Sequence, residues 1–531
     1  MEDKPEKKIY AKLVGRGENL ELKDIAFLPC DYILRCVDGP YEGKQIRIKD
    51  LGDEIIIGSD ISCNFYLKDS GISLTHCKLT WVPNTVIYFL EDLNSELGTW
   101  LKISSLEDGF EIKENTIFKV FQHMFQITTN SSGNHLLRIL EGSKKGLEKN
   151  IDEESFIMIG KKGTEIELDM ECSENHIYKI MKMKGRIFIM NNCEEMTDEG
   201  LFYRLHENEK AIVRGGDIIK IGKSSFRIIV HNWGIFSEIG DRIQQEDRHC
   251  IIDDLRLFDE LVIPFYAVYD GHGGVSCSLY VQKHFHHNLR DLIKSKNLVE
   301  SKNFLDDLCN TIQEAIIYTD INYYDTETSS AIHHGSTCVF LFFIGHLVIC
   351  CNLGDSISII VRNEKKIYLS KDFRPSREKE RIAARKGYVT NDGRLLGLIS
   401  VSRSFGDWKY KDPKQQDILR KAISGKTVDF EEYLISNRAE FRILDYDPRI
   451  DKYIIIVSDG IFQHTPNSNV IFDTINKYLA MEKSEYSSLK NIPNVTDNIR
   501  LDLINNIYGD FNTKGKADNM TLILIHLQND K

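Results

Sequence analysis

The sequence has no apolar run long enough to cross a membrane as a helix, which takes about 18 residues. Its longest, from Cys338 to Cys351, is broken by Gly345 and His346. The first residues, Met1-Glu-Asp-Lys-Pro-Glu-Lys-Lys, are charged and lack the apolar core of a secretory signal. Glu2 stands where myristoylation needs a glycine, and no C-terminal cysteine is placed for prenylation. A basic surplus is missing too. The 68 Lys and Arg face 80 Asp and Glu, for a net charge of -12, which argues against nucleic acid as a partner, because its phosphates are held by excess cations. The twelve cysteines follow no C-x-x-C or paired-ligand spacing. Cys350 and Cys351 sit in an apolar run, where buried free thiols are expected. These absences point to an intracellular chain, in cytoplasm or nucleus, without a membrane or nucleic-acid partner.

At 531 residues there is room for several domains. Residues 1–30 read as a charged extension. From Asp31 to about Ile229 short strand-like runs alternate with turn residues, as at Gln45–Ile48, Glu54–Ile57, Val86–Leu90, Phe156–Ile159, Arg186–Met190 and Ser225–Val230. That pattern suggests β-sandwiches. A polar gap, Thr128 to Asn134 (TTNSSGN), divides the region, and the two parts are alike. Each has an Ile/Met-rich step into glycine (Ile55–Gly58; Ile157–Gly160), then Ser-x-x-His (Ser73 to His76; Ser173 to His176), then a late strand pair. An internal repeat of one small β domain follows, over 31–129 and 135–231.

Beyond His231 strands alternate with helical patterns at Ser276–Leu298 and Phe304–Tyr324, with a short capped helix at Ser376–Lys386. Residues 233–528 read as an α+β domain with helices packed on sheets. The polar stretch from Lys409 to about Tyr433 reads as an insertion or flap.

Four strong β runs in this region adjoin an aspartate: Tyr266-Ala-Val-Tyr before Asp270, Ile349-Cys-Cys-Asn-Leu-Gly before Asp355, Ile454-Ile-Ile-Val-Ser before Asp459, and Asp518-Asn before Met520. One such aspartate alone is most simply a turn residue. Four in this arrangement suggest carboxylates gathered at one sheet edge. Mutual repulsion there would resist ionisation unless a divalent cation intervened, and an all-oxygen donor set favours magnesium or manganese.

Seven blocks in order carry a resemblance to the metal-dependent protein phosphatases (PPM family, type 2C). They are Arg242-Ile-Gln-Gln-Glu246-Asp247, Tyr269-Asp270-Gly-His-Gly-Gly274, Gly335-Ser-Thr, Asn352-Leu-Gly-Asp355-Ser, Ser402-Arg-Ser-Phe-Gly-Asp407, Ser458-Asp459-Gly460 and Ala517-Asp518-Asn519-Met. The resemblance implies a β-sandwich flanked by helices that hydrolyses phosphoserine and phosphothreonine with two Mg2+ or Mn2+ ions. Asp270 would bridge both ions, with the Gly271 carbonyl as a further ligand. Asp459 and Asp518 would hold the second ion, and Glu246 and Asp247 would act directly or through water. A bridging water, acidified by two cations, would supply the attacking hydroxide. Arg242 would grip the phosphate, and His272 would protonate the leaving alkoxide. His284, His286 and His287, on the first predicted helix, read as structural or solvated. Asp355 would hold a third, weaker ion. The family's usual aspartate near position 463 is Gln463 here, which weakens or removes that third site.

The N-terminal repeats resemble forkhead-associated (FHA) domains, whose loops bind phosphothreonine peptides. Ser73 and His76 in the first copy, and Ser173 and His176 in the second, match the motif. The phosphate-gripping arginine is replaced by Ser59 and Lys161, and the peptide-holding asparagine by Leu97 and Glu199. Lys161, Ser173 and Ser73 are therefore the expected phosphopeptide contacts, chiefly in the second copy. The composite expectation is two all-β FHA-like sandwiches that bring phosphoproteins to an α+β type 2C phosphatase domain. The alternative is a pseudophosphatase adaptor that binds phosphoproteins without turnover.

Overall fold

The computed structural model describes residues 32–82, 87–103, 110–153, 155–160, 163–168, 177–191, 200–207, 209–258, 261–411, 433–463, 469–482, 489–509 and 517–527. Contacts separate a unit Asp31–Ile229 from one that includes Val230–Lys531.

The first unit is built of short strands with a 3-10 turn at Ile48–Leu51. Its first ten are β1 (Ile33–Asp38), β2 (Gln45–Arg47), β3 (Glu54–Gly58), β4 (Phe65–Tyr66), β5 (Cys77–Trp81), β6 (Tyr88–Asp92), β7 (Thr99–Lys102), β8 (Phe110–Ile112), β9 (Ile117–Val120) and β10 (His123–Thr129). The next ten are β11 (His135–Glu141), β12 (Glu148–Asn150), β13 (Phe156–Gly160), β14 (Ile166–Glu167), β15 (Ile177–Met183), β16 (Arg186–Asn191), β17 (Leu201–Arg204), β18 (Lys210–Val213), β19 (Ile218–Ile221) and β20 (Ser224–Ile229). Alternation buries one face, as in β9, where Phe118 and Val120 are buried and Ile117 and Lys119 partly exposed. The stretch expected to divide two modules instead closes a hairpin between β10 and β11. The Asn130 amide donates to the Asn134 carbonyl, and the Asn130 side-chain oxygen accepts from the amides of Ser132 and Asn134. Polar composition marks a turn here as readily as a linker. The strands form one ten-stranded sheet, in the order β12-β11-β10-β9-β17-β7-β19-β20-β1-β2, and two five-stranded sheets.

The second unit stacks two five-stranded sheets between helices. One sheet orders β22 (Arg248–Ile252), β23 (Phe265–Tyr269), β26 (Cys338–Ile344), β27 (Leu347–Leu353) and β31 (Glu440–Asp445). The other orders β21 (Asn232–Glu238), β33 (Met520–His526), β32 (Asp451–Val457), β28 (Ile357–Arg362) and β29 (Lys365–Tyr368). A three-stranded sheet joins β24 (Gly271–His272), β25 (Gly335–Ser336) and β30 (Phe405–Gly406). Both faces of the inner strands β23, β26, β27, β32 and β33 are covered, so these strands read as nearly continuous apolar runs. Along β23, Tyr266 and Val268 enter the core between sheets with Leu341, Ile454 and Ile523. Phe265, Ala267 and Tyr269 turn the other way, onto helices α1 (Ser276–Ser295) and α2 (Phe304–Thr326) through Val281, Phe285 and Ile312. Helices α3 (Asn469–Met481) and α4 (Ile492–Gly509) cover the opposite sheet, with Ile475 and Ile499 packed on Ile455 and Leu522. No described helix is long and apolar enough to cross a membrane.

Candidate active site

Strand direction gathers the aspartates. β23 and β27 both run antiparallel to β26, so their C-terminal ends, leading into Asp270 and Asp355, share one edge. In the facing sheet the C-terminal end of β32, leading into Asp459, lies beside the N-terminal ends of β28 and β33. One carboxylate oxygen from each of Asp270, Asp355 and Asp459 falls within 4.8 Å of the others. The Thr337 amide donates to the Asp270 carbonyl at 2.8 Å, and the Asp270 amide donates to Thr337 Oγ1 at 3.3 Å, which fixes the end of β23.

The remaining acids surround this group. Asp247 is 2% exposed, and neither of its carboxylate oxygens meets a donor in good hydrogen-bond geometry, although the nearby Ser458 and Thr521 hydroxyls favour its charged form. Burial, reinforced by the charges of Asp459 and Asp518, raises its pKa to about 7. Asp355 is likewise pushed up to about 7 by burial and by Asp459. Asp270 is raised well above the carboxylate range by burial and by the charges of Asp247, Asp459, Asp355 and Asp518. Crowded, buried acids with unpartnered oxygens are the electrostatics that a bound cation would relieve. The all-oxygen donor set fits a hard divalent ion. Asp518 lies outside the tight trio, and its Oδ2 accepts from Arg242 Nη2 at 2.6 Å.

Glu246 is held through its backbone. Its amide donates to Asn519 Oδ1 at 2.8 Å, and its carbonyl accepts from Ser278 Oγ at 2.6 Å. That carbonyl crowds Gly271, where a Cβ would lie 2.5 Å from it. Asn519 Nδ2 also donates to the carbonyls of Ile239 and Gln244, tying the loop that carries Arg242 and Glu246 to the start of β33. Arg242 itself stands at the rim with 57% of its side chain exposed.

His272 is partly buried, and its Nε2 sits 2.8 Å from Asp407 Oδ2. Asp407 also accepts from Ser404 Oγ at 2.5 Å. Burial lowers the histidine pKa, but the Asp407 charge and hydrogen bond outweigh it, and the net shift is upward. The block carrying Asp407 is anchored from α2: Asp320 accepts from the Gly406 amide, Lys411 Nζ and Asn437 Nδ2. On the other side of the acids, Arg374 Nε lies 3.5 Å from Asp355 Oδ2.

Sequence reasoning assigned no role to Asp407, Asn519, Asp320 or Arg374. For Asp407 and Asn519 the signal was present, because both lie within blocks that carry the family resemblance; Asp320 and Arg374 carried none. His286, by contrast, is buried on α1, and burial pushes its pKa down to about 3, so its ring is neutral. Ser73 Oγ accepts from the Glu96 amide at 3.0 Å, and buried His76 bridges the Ser73 amide and the Gly98 carbonyl. Lys161, Ser173, His176 and Glu199 lie outside the described residues, as does the side chain of Gln463.

The protein phosphatase 2C family model matches residues 234–496, and the FHA domain model matches residues 55–120. "Probable protein phosphatase 2C 6" of Paramecium tetraurelia is 30% identical over 298 residues, 54% of this chain and 90% of that protein. "Probable protein phosphatase 2C 27" of Oryza sativa subsp. japonica is 28% identical over 315 residues, 58% of this chain and 78% of that protein. A solved serine-threonine phosphatase 2C from Toxoplasma gondii superposes with a TM-score of 0.44 at 18% identity, covering 56% of this chain and 94% of that one.

Proposed function

The chain belongs to the protein phosphatase 2C family and is a metal-dependent serine/threonine protein phosphatase, and we propose that the edge where its two sheets meet is where phosphate is removed. Asp270, Asp459 and Asp518, with Glu246, Asp247 and the Gly271 carbonyl, would hold two Mg2+ or Mn2+ ions. The observation that carries this is the mutual approach of the Asp270, Asp355 and Asp459 oxygens beside the two orphaned oxygens of buried Asp247. Ions bound there supply positive charge and a nucleophile drawn from water.

The protein's own groups do the rest. Arg242, at the rim, orients the phosphate through its planar fork. His272 donates the proton that the serine or threonine oxygen takes up as its bond to phosphorus breaks, and Asp407 keeps that ring charged and aimed. Asp355, paired with Arg374, would lend a weaker third site. Free thiols at Cys350, Cys351 and other buried positions suit a reducing intracellular setting.

The N-terminal unit contains an FHA domain, and we assign it the docking of phosphoproteins, with Ser73 as a contact in the first repeat and Lys161 and Ser173 in the second. Docking raises the local concentration of substrate at the catalytic edge. Mn2+-dependent hydrolysis of a phosphothreonine peptide, abolished by Asp270→Asn, tests the catalytic reading; hydrolysis unaffected by that change refutes it. Removing residues 1–230 should spare a small phosphate ester and slow turnover of a docked phosphoprotein. Equal loss on both would refute the docking role.

A further inference from the structure

The strand order of the N-terminal unit is not that of two modules side by side. The last three strands of the second half pair with the first: β18 with β6, β19 with β7, and β20 with β1. Reciprocally, the last three of the first half pair with the second: β8 with β16, β9 with β17, and β10 with β11. The seams meet where β7 pairs β17, with Trp100 opposite Arg204 and Lys102 opposite Phe202. That register relates each half to the other by an approximate two-fold.

The Asn130–Asn134 turn supplies the physical cause. A short, internally bonded turn makes β10 and β11 neighbours in one sheet, so β10 cannot return to lie beside β1. The vacant place beside β1 is filled by β20, the equivalent strand of the other half. Short connections favour such exchange of identical elements.

The exchange reaches the loops around Ser73. Arg204, from the second half, donates to the Ser95 carbonyl at 3.4 Å and occupies the space that Gly98, lacking a side chain, leaves open. At the tip between β19 and β20, a Cβ on Gly222 would lie 2.8 Å from Ile72 and 3.1 Å from the Gly71 carbonyl. The loops on both sides of Ser73 thus rest on residues of the second half. In the counterpart position, Lys102 of the first half packs near Gly200 of the second.

We propose that residues 31–229 form two FHA-like sandwiches that have exchanged their last three strands within one chain, so that the Ser73 face is assembled by both halves. Its consequence for docking rests on the phosphoprotein-docking reading above. Arg204 and Gly222 then act as positioning residues for a surface that neither half forms alone.

The test inserts a specific protease site between Ser132 and Gly133 of the full-length chain. After cleavage the two fragments should co-elute under native conditions and separate only in denaturant. In the variant E91C/K210C, whose positions face each other across β6 and β18, oxidation should link the two cleaved fragments on a non-reducing gel. Fragments that part natively, or that never cross-link, overturn the exchange. Binding of the full chain to immobilised phosphothreonine peptides is measured separately. R204A should weaken binding about fivefold if the loop is held as described, since one hydrogen bond is at stake. If no variant or parent binds while the fragments stay linked, the exchange stands and the docking reading falls.

Discussion

His272 Nε2 and Asp407 Oδ2 lie 2.8 Å apart, and the pair fits only because position 335 has no side chain, since a Cβ there would overlap both. The two residues are 135 apart in sequence, joined by the small sheet in which Gly271–His272, Gly335–Ser336 and Phe405–Gly406 pair. In the proposed role of proton donor, His272 is effective only while charged.

Asp407→Asn removes the charge that raises the His272 pKa. The acid form then persists only to lower pH, so the alkaline limb of the kcat profile should move down. The loss of kcat should reach about 10- to 100-fold at pH 8, with KM little changed. A substrate with a leaving group too acidic to need protonation should be much less affected. Gly335→Ala, which displaces both partners, should act in the same direction, and an unmoved pH limb in both variants would exclude the dyad.

The acids beside it make a second prediction. Asp247 and Asp355 are each raised to about 7 by burial first and by neighbouring acids next. Binding a divalent ion must displace those protons, so affinity for Mn2+ should rise between pH 6 and 8. Calorimetry in two buffers of different ionisation enthalpy should register proton release. A carboxyl whose folded pKa lies above its unfolded value loses stability as pH rises through that range. Metal-free Asp247→Asn should therefore melt higher than the parent at pH 8, yet gain less from added Mn2+.

Much of this edge was legible in the sequence because its cause is local. An apolar run followed by aspartate marks a strand end, as at Tyr269-Asp270 and Val457-Ser458-Asp459. What was not legible depends on partners chosen by the tertiary fold. Periodicity identifies β20 as a strand but contains nothing to say that it pairs with β1 rather than with β11. TTNSSGN has the composition of a linker and of a turn alike, and only the ladder between β10 and β11 decides. Asp320, in the middle of a helix, carries no local mark of its partner Lys411, 91 residues away.

That pair is fully buried on both sides, at 0% exposure, with a separation of 2.7 Å. Lys411 also donates to the Ser404 carbonyl, and Asp320 accepts from the Gly406 amide, so α2 grips the block that ends in Asp407. Asp320→Asn or Lys411→Met strands one buried charge and should cost about 3–5 kcal/mol in denaturant unfolding. The double change should recover a good part of that loss. Equal destabilisation by single and double variants would mean the pair is not coupled.

The same block is braced from its other end by Glu378, which accepts from Arg403, Arg381 and Ser402 Oγ. Burial alone would raise its pKa. The Arg403 hydrogen bond and the Arg381 and Arg403 charges outweigh burial and hold it at about 2, against an ordinary 4.5. A depressed folded pKa contributes stability that is complete above the unfolded value and fades as pH falls through the folded one. Glu378 should thus contribute about 3 kcal/mol at neutral pH and lose it between pH 4.5 and 2. Glu378→Gln keeps the shape but not the charge, so its unfolding free energy should be lower at pH 7 and change less on acidification. Parallel acid profiles for variant and parent would show that another carboxylate carries the acid sensitivity of this domain.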